Sequence, residues 1–197
     1  MHYDKANLAA VECASTDATR YILNGVRFEE DKTVATDGRI LVLVDNPKVC
    51  TPPKELPEPI FKEPIVIDRN DCKSLAKSSK ARRGATEKEQ LHKQLLALHH
   101  NGNGVEFAST ELTIKALPLD GAYPNYAQCI PSTSGRQKVT LSLKSLKHIL
   151  ELMKQCEADE ITLHIEDEYK PIVAEAEFRL RYDQEDRKLK IVFMPNR

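Results

Sequence analysis

The sequence predicts an α+β protein in which helices pack on one face of antiparallel sheets, with one helix and its strands forming a repeat that recurs three times. Three observations predict it. Apolar residues keep helical spacing only in separate short segments. Short apolar runs bounded by turn residues surround each such segment. The order of helix and strands then returns at a spacing of about 65 residues.

The first repeat opens at residues 4–14, where Leu8, Val11 and Ala14 fall three apart among good helix formers, and a helix is expected there. "YILNGVRF" (21–28) alternates, "TVAT" (33–36) returns, and "RILVLV" (39–44) closes a three-strand meander. Between the last two arms, Asp37-Gly38 is expected to supply the two positive-φ positions of a tight primed turn. A connector over residues 45–64 follows, whose prolines at 47, 52, 53, 57, 59 and 64 exclude an interior helix or a central strand.

The second repeat starts with a strand, "PIVID" (64–68), and a helix over 69–83 capped by Asn70 or Asp71. Cys72, Leu75, Ala76 and Ser79 share the face that meets a core. Lys73, Lys77 and Lys80 repeat on another face and run into Arg82 and Arg83, with Asp71 the only acid of the segment. A further helix is expected over 86–100, with Leu91, Leu95 and Leu98 at packing positions, and then strands over 105–110 and 111–119 around a turn.

The third repeat runs from a strand, "KVTLSL" (138–143), through a helix over 144–156 to strands within 160–167, 171–182 and 189–195. Leu146, Ile149, Leu150 and Met153 make the apolar stripe of that helix, while Lys144, Lys147 and Lys154 lie largely away from it, interrupted by Glu151.

Composition narrows the function. A chain of 197 residues with 41% apolar content supports an ordinary core in one large domain or about two small ones. No apolar run approaches a membrane span and the start has no secretory pattern, so a soluble cytoplasmic protein is expected. The net charge of −1 excludes a uniformly basic nucleic-acid binder but permits basic and acidic faces to be segregated. The five cysteines, Cys13, Cys50, Cys72, Cys129 and Cys156, are scattered without a CxxC pair, which argues against a disulfide framework or a zinc site.

No catalytic constellation converges. His99-His100 lacks accompanying ligands at metal spacing. Nothing in the sequence places Cys129 or Cys156 beside His148 or His164, and no phosphate-cradling glycine loop occurs. A non-catalytic protein without cofactor is expected.

Three segments, taken in order, resemble one family. "YILNGVRFEEDKTVATDGRILVLV" (21–44) looks like the central domain of the bacterial replicative sliding clamp, the beta subunit of DNA polymerase III. "LDGAYPNYAQCIP" (119–131) looks like the segment closing that domain. "LSLKSLKHILELMKQCEADEITLHIEDEYKPIVAEA" with "IVFMPNR" resembles the last half of the clamp's final domain. The resemblance divides the chain into a central-domain-like part, 1–131, holding two repeats, and a half-domain-like repeat, 132–197. The family's first domain and the first half of its last domain have no counterpart in it.

The resemblance implies a clamp-like accessory of DNA replication or repair in a bacterial or phage system, holding duplex DNA without reading its sequence and docking peptides of polymerases or repair proteins. Sequence-neutral attraction calls for Lys and Arg near phosphates, and the candidates are Lys73, Lys77, Lys80, Arg82, Arg83, Lys144, Lys147 and Lys154. The alternative for these lysines is an ordinary solvated helix face. Residue by residue, Thr36, Gly38, Arg39 and Ile40 match one wall of the peptide pocket, Pro131 its floor, and Val192, Met194, Pro195 and Asn196 the other wall. Without the resemblance, a hairpin and a terminal strand packing in a core fit the same residues. Ile40 stands where the family often has arginine or leucine, and Asn196 replaces a methionine. Full clamps close a ring of twelve repeats, so three per chain suggest a homo-oligomer of four if a ring closes. The second reading is a clamp-like regulator that competes for clamp-binding partners without encircling DNA.

Overall fold

The computed structural model describes residues 2–48, 53–78, 95–101, 104–110, 113–132, 138–178 and 187–195. The chain divides into two units, Met1–Ile130 and Pro131–Arg197. No helix among the described residues is long and apolar enough to cross a membrane.

Unit 1 begins with β1 (His2–Tyr3) and α1 (Lys5–Ala9), which tightens into a 3-10 turn over Ala10–Cys13. Asp4 caps α1: its carboxylate accepts from the Ala6 and Asn7 amides, and Asn7 Oδ1 accepts the Asp4 amide at 2.9 Å. Asn7 is fully buried, and its Nδ2 donates to Thr33 Oγ1 and Asn46 Oδ1, both at 3.1 Å. The predicted stripe of Leu8, Val11 and Ala14 is buried as expected.

Next come β2 (Gly25–Phe28), β3 (Lys32–Thr36) and β4 (Leu41–Asp45), the expected meander. Its first arm is shorter than expected, because Ala18–Asn24 forms 3-10 turns opened by the Asp17 carboxylate, which accepts from the Thr19 amide. β5 (Ile65–Asp68) and α2 (Arg69–Ser78) follow. Asp68, rather than Asn70 or Asp71, supplies the side-chain cap of α2, accepting the Asn70 amide at 2.7 Å.

β6 (Leu96–Asn101), β7 (Gly104–Ala108) and β8 (Thr113–Ala116) complete the unit. β6 corrects the helix expected over 86–100, whose residues 86–94 lie outside the described ones. "LALHHN" is apolar at spacings that fit either period, and here Leu96 and Leu98 point to one core while Ala97 points away into another cluster.

The sheets explain why the unit holds together. β4-β3-β2-β5 form one and β1-β6-β7-β8 the other, all antiparallel. Each repeat therefore lends its leading strand to its neighbour's sheet: β1 precedes α1 yet pairs with β6, and β5 precedes α2 yet pairs with β2. α1 and α2 pack on each other. Leu8, Val26, Phe28, Ile67, Cys72, Leu75, Leu98 and Phe107 from both repeats share one core. At its centre Tyr3, Phe28 and Phe107 meet edge-on or tilted, with centroids 5.0, 5.1 and 6.4 Å apart.

Unit 2 contains α3 (Leu143–Gln155), β9 (Thr162–His164), β10 (Ile172–Phe178) and β11 (Arg187–Phe193), in the sheet order β11-β10-β9. Ile149 and Met153 of α3 pack on Ala176, Leu189, Ile191 and Phe193. Ser142 caps α3. The strand expected over 138–143 is replaced by residues with no ladder partner among the described ones up to Ser142, and Leu143 already belongs to the helix.

Two histidines of the β1-β6-β7-β8 sheet make unit 1 sensitive to acid. Burial, then Lys62, lowers the pKa of His100, and burial, then the chain's N-terminus, lowers that of His2. The unfolded chain titrates these groups near 6.5 and so binds more protons as the pH falls through that value. The melting temperature of unit 1 is therefore expected to hold above about pH 7 and to drop between about pH 6.5 and 5. Thermal scans across that range check this, and His2→Gln with His100→Gln should flatten the drop.

Candidate functional site

The turn between β3 and β4 carries Thr36, Gly38, Arg39 and Ile40, for which the resemblance implies one wall of a peptide pocket. Register pairs Thr36 with Leu41, so residues 37–40 form a four-residue loop, not the two-residue primed turn expected. Only Gly38 within it has positive φ, +91°. One long backbone bond, from the Asp37 amide to the Ile40 carbonyl at 3.4 Å, spans the loop, and side chains add to it. Thr36 Oγ1 donates to the Ile40 carbonyl at 2.6 Å and accepts the Gly38 amide at 3.0 Å. The Asp37 carboxylate accepts the Arg39 and Ile40 amides, both at 2.8 Å, and these bonds, Ile40's first, hold its pKa below the usual carboxylate range.

The result is a hydrogen-bonded loop with a buried root and an exposed tip. Thr36 is buried, Gly38 and Arg39 are exposed, and the Ile40 side chain is 57% exposed. Arg20 lies alongside: a Cβ at Gly38 would stand 2.9 Å from its Nη1. Half-exposed Tyr21 is adjacent to Arg20 in the chain. No local signal in the sequence brings Arg20 to this loop, since its position follows from the 3-10 turns over Ala18–Asn24.

The segment that closes unit 1 is tied to the β4-β3-β2-β5 sheet and its β2-β3 turn. The Leu119 amide donates to the Val66 carbonyl at 2.7 Å. Tyr126 Oη donates to Glu29 Oε2 at 2.7 Å, Arg27 Nε donates to Glu29 Oε1 at 2.6 Å, and the Arg27 guanidinium lies 5.7 Å from the Tyr123 ring centre. Burial, then the bond to Glu29, pushes the Tyr126 phenol up to about 12, so it donates at neutral pH.

The other expected docking residues belong to unit 2. Pro131 is exposed, Val192 on β11 and Met194 just beyond it are more than half exposed, and Pro195 is buried. Asn196 lies outside the described residues.

Of the cationic candidates, Lys73 is partly buried and Lys77 exposed on α2. Neither has an ion pair among the described residues. Cys72 and Leu75 bury the opposite stripe, as the periodicity expects. Burial pushes the Cys72 thiol far up, which makes it a packing group rather than a nucleophile. Lys80, Arg82 and Arg83 lie outside the described residues. On α3, Lys144, Lys147 and Lys154 are exposed, and Lys147 is 3.8 Å from Glu151 one turn on. Arg69 at the start of α2 is structural, since its Nη1 donates to the Ala14 and Ser15 carbonyls.

No protein-family model matches the chain, and no curated protein matches its sequence. Solved structures do match. The DNA polymerase III beta chain of Streptococcus pneumoniae aligns over 100% of this chain and 49% of its own, with TM-score 0.64 and 18% identity. The DNA polymerase III beta subunit of Borrelia burgdorferi, solved with a natural product, aligns over 98% and 48%, with TM-score 0.65 and 15% identity. The DNA polymerase sliding clamp of Bacillus subtilis aligns over 100% and 49%, with TM-score 0.61 and 18% identity. The chain thus spans about half the length of these proteins. Its α+β repeats, each a leading segment, a helix and antiparallel strands, have the fold of the bacterial DNA sliding clamps.

Proposed function

We propose that the chain is a sliding-clamp-like, non-catalytic accessory of DNA replication or repair that binds or tracks along duplex DNA and docks partner peptides. The observation that carries this reading is the match of its full length to half of a DNA polymerase III beta chain. The lysines of α2 support it: Lys73 and Lys77 stand opposite the buried stripe with no neutralising partner among the described residues. Such a face releases counterions on meeting phosphates and does not distinguish sequences. Lys80, Arg82, Arg83, Lys144, Lys147 and Lys154 extend the same chemistry.

For peptides, the proposed contacts are Thr36, Gly38, Arg39 and Ile40 of unit 1 and Pro131, Val192, Met194, Pro195 and Asn196 of unit 2. Exposed Ile40 in unit 1, and separately exposed Val192 and Met194 in unit 2, each offer apolar area to a docked peptide, and the thioether of Met194 adapts to different shapes. The Thr36 and Asp37 bonds fix the loop before a partner arrives, which lowers the entropic cost of docking.

Fluorescence anisotropy with a labelled random-sequence duplex tests the DNA reading. Binding is expected to weaken steeply with salt, and Lys73→Glu with Lys77→Glu to cost roughly tenfold or more in affinity. Absence of duplex binding at low salt overturns it. A labelled peptide with a glutamine followed by spaced leucines tests docking, with Ile40→Asp and Met194→Asp each expected to weaken it. Peptide binding without duplex binding selects the regulator that competes for clamp partners.

A further inference from the structure

Both units are built from the same block, a leading segment, a helix and three strands, and unit 1 holds two such blocks where unit 2 holds one. Unit 1 shows how two blocks complete each other: β5, directly before α2, lies on β2, and β1, just before α1, lies on β6. In unit 2 the segment directly before α3 is 138–142, and the strand that follows the helix is β9. Among the described residues, 138–142 has no ladder partner and β9 pairs only with β10.

The apolar side chains record the same vacancy. On β2 and β6 the core-facing Val26, Phe28, Leu96 and Leu98 are 3% exposed or less. Leu163 stands opposite buried Ala174 and so shares the core face of its sheet, yet it is 41% exposed. Ile161 and Ile165, two residues to either side, are exposed to a similar degree. On α3, Leu143, Leu146 and Leu150 fall at i, i+3 and i+7, and Leu150 is 66% exposed. In unit 1, by contrast, α1 and α2 bury their apolar stripes against each other and the sheets.

We propose that unit 2 is completed by unit 2 of a second copy of this chain, related by a two-fold axis, with residues 138–142 of each pairing on β9 of the other and the exposed leucines of the two α3 helices meeting. A second copy fits because the vacancies are reciprocal. Each block offers a leading segment and lacks one, which is the self-complementarity that an isologous contact requires. Charge agrees: Lys138 and Lys144 attend the leading segment and the start of α3, whereas Asp159 and Glu160 lie just before β9; Glu166 and Asp167 just after it hold Lys170, and Lys147 lies by Glu151. Pairing one on the other brings opposite charges together. The proposal rests on the repeat architecture and requires neither DNA nor peptide binding.

Sedimentation velocity on the full chain over a wide concentration range tests it, combined with hydrogen exchange. The expected result is an assembly of two copies, or of four where unit 1 also associates. Leu163→Glu and Leu150→Glu should each raise the concentration of half-dissociation roughly tenfold or more. In the unsubstituted protein, the amides of 138–142 and of Thr162–His164 should exchange slowly in the assembly and fast in the dilute chain. That second readout holds even where a substitution unfolds unit 2. A chain that stays single at every concentration, an assembly indifferent to both substitutions, or one in which those amides exchange as fast as in the dilute chain overturns the proposal.

Discussion

Phe28→Ala is expected to cost unit 1 about 3–5 kcal/mol, the range for truncating a buried aromatic side chain and leaving its cavity open. Phe28 is fully buried, sits on the strand that β3 and β5 flank, and touches both Tyr3 and Phe107 across the shared core. The cavity has little means of collapsing, because its walls belong to strands pinned in two different sheets. With a domain's net stability at about 5–15 kcal/mol, the loss is a large share of the total. Denaturant titration followed by tyrosine fluorescence measures it. A cost near 1 kcal/mol would mean that the two repeats do not share a core.

Gly25→Ala is expected to destabilise unit 1 by roughly 1–3 kcal/mol through overpacking. The reason is space rather than backbone, since Gly25 has an ordinary φ of −102°. A Cβ there would stand 2.3 Å from Val66 Cγ1, 2.9 Å from Leu119 Cδ1 and 3.0 Å from the Ile67 carbonyl oxygen. The glycine thus lets β5, the lent strand, lie against β2. Because Val66 Cγ1 is the nearest atom, Gly25→Ala and Val66→Ala are expected to be non-additive, the pair costing less than the sum. A double-mutant cycle by chemical unfolding decides; strict additivity would place the clash elsewhere.

Much of this fold is legible in periodicity. Leu8, Val11 and Ala14 mark the first helix, Cys72 and Leu75 the buried side of the second, and Ile149 with Met153 the third, because a helix that buries one stripe must repeat it. The strand at Leu96–Asn101 was not legible, since a six-residue segment with only Leu96, Ala97 and Leu98 apolar fits either period until its pairing with β7 is known. The exchange of leading strands had no local signal at all: nothing in "MHY" or "PIVID" says which sheet it joins. In the candidate site, the position of the 37–40 loop could be read from Asp-Gly. Its four-residue closure could not, because that depends on where the Thr36 hydroxyl and the Asp37 carboxylate find backbone partners.

The lent strand also sets a clock for synthesis. His2 and Tyr3 are synthesised long before their partners, Ala97 and Leu96. At ~5–20 residues per second β1 waits roughly 5–20 s for that strand to be made. Until then Tyr3 has Phe28 beside it but lacks Leu96, Leu98 and Phe107, the far side of its core. The nascent first repeat therefore waits as an incomplete body, and a chaperone that shields such surfaces has its longest opportunity in this interval.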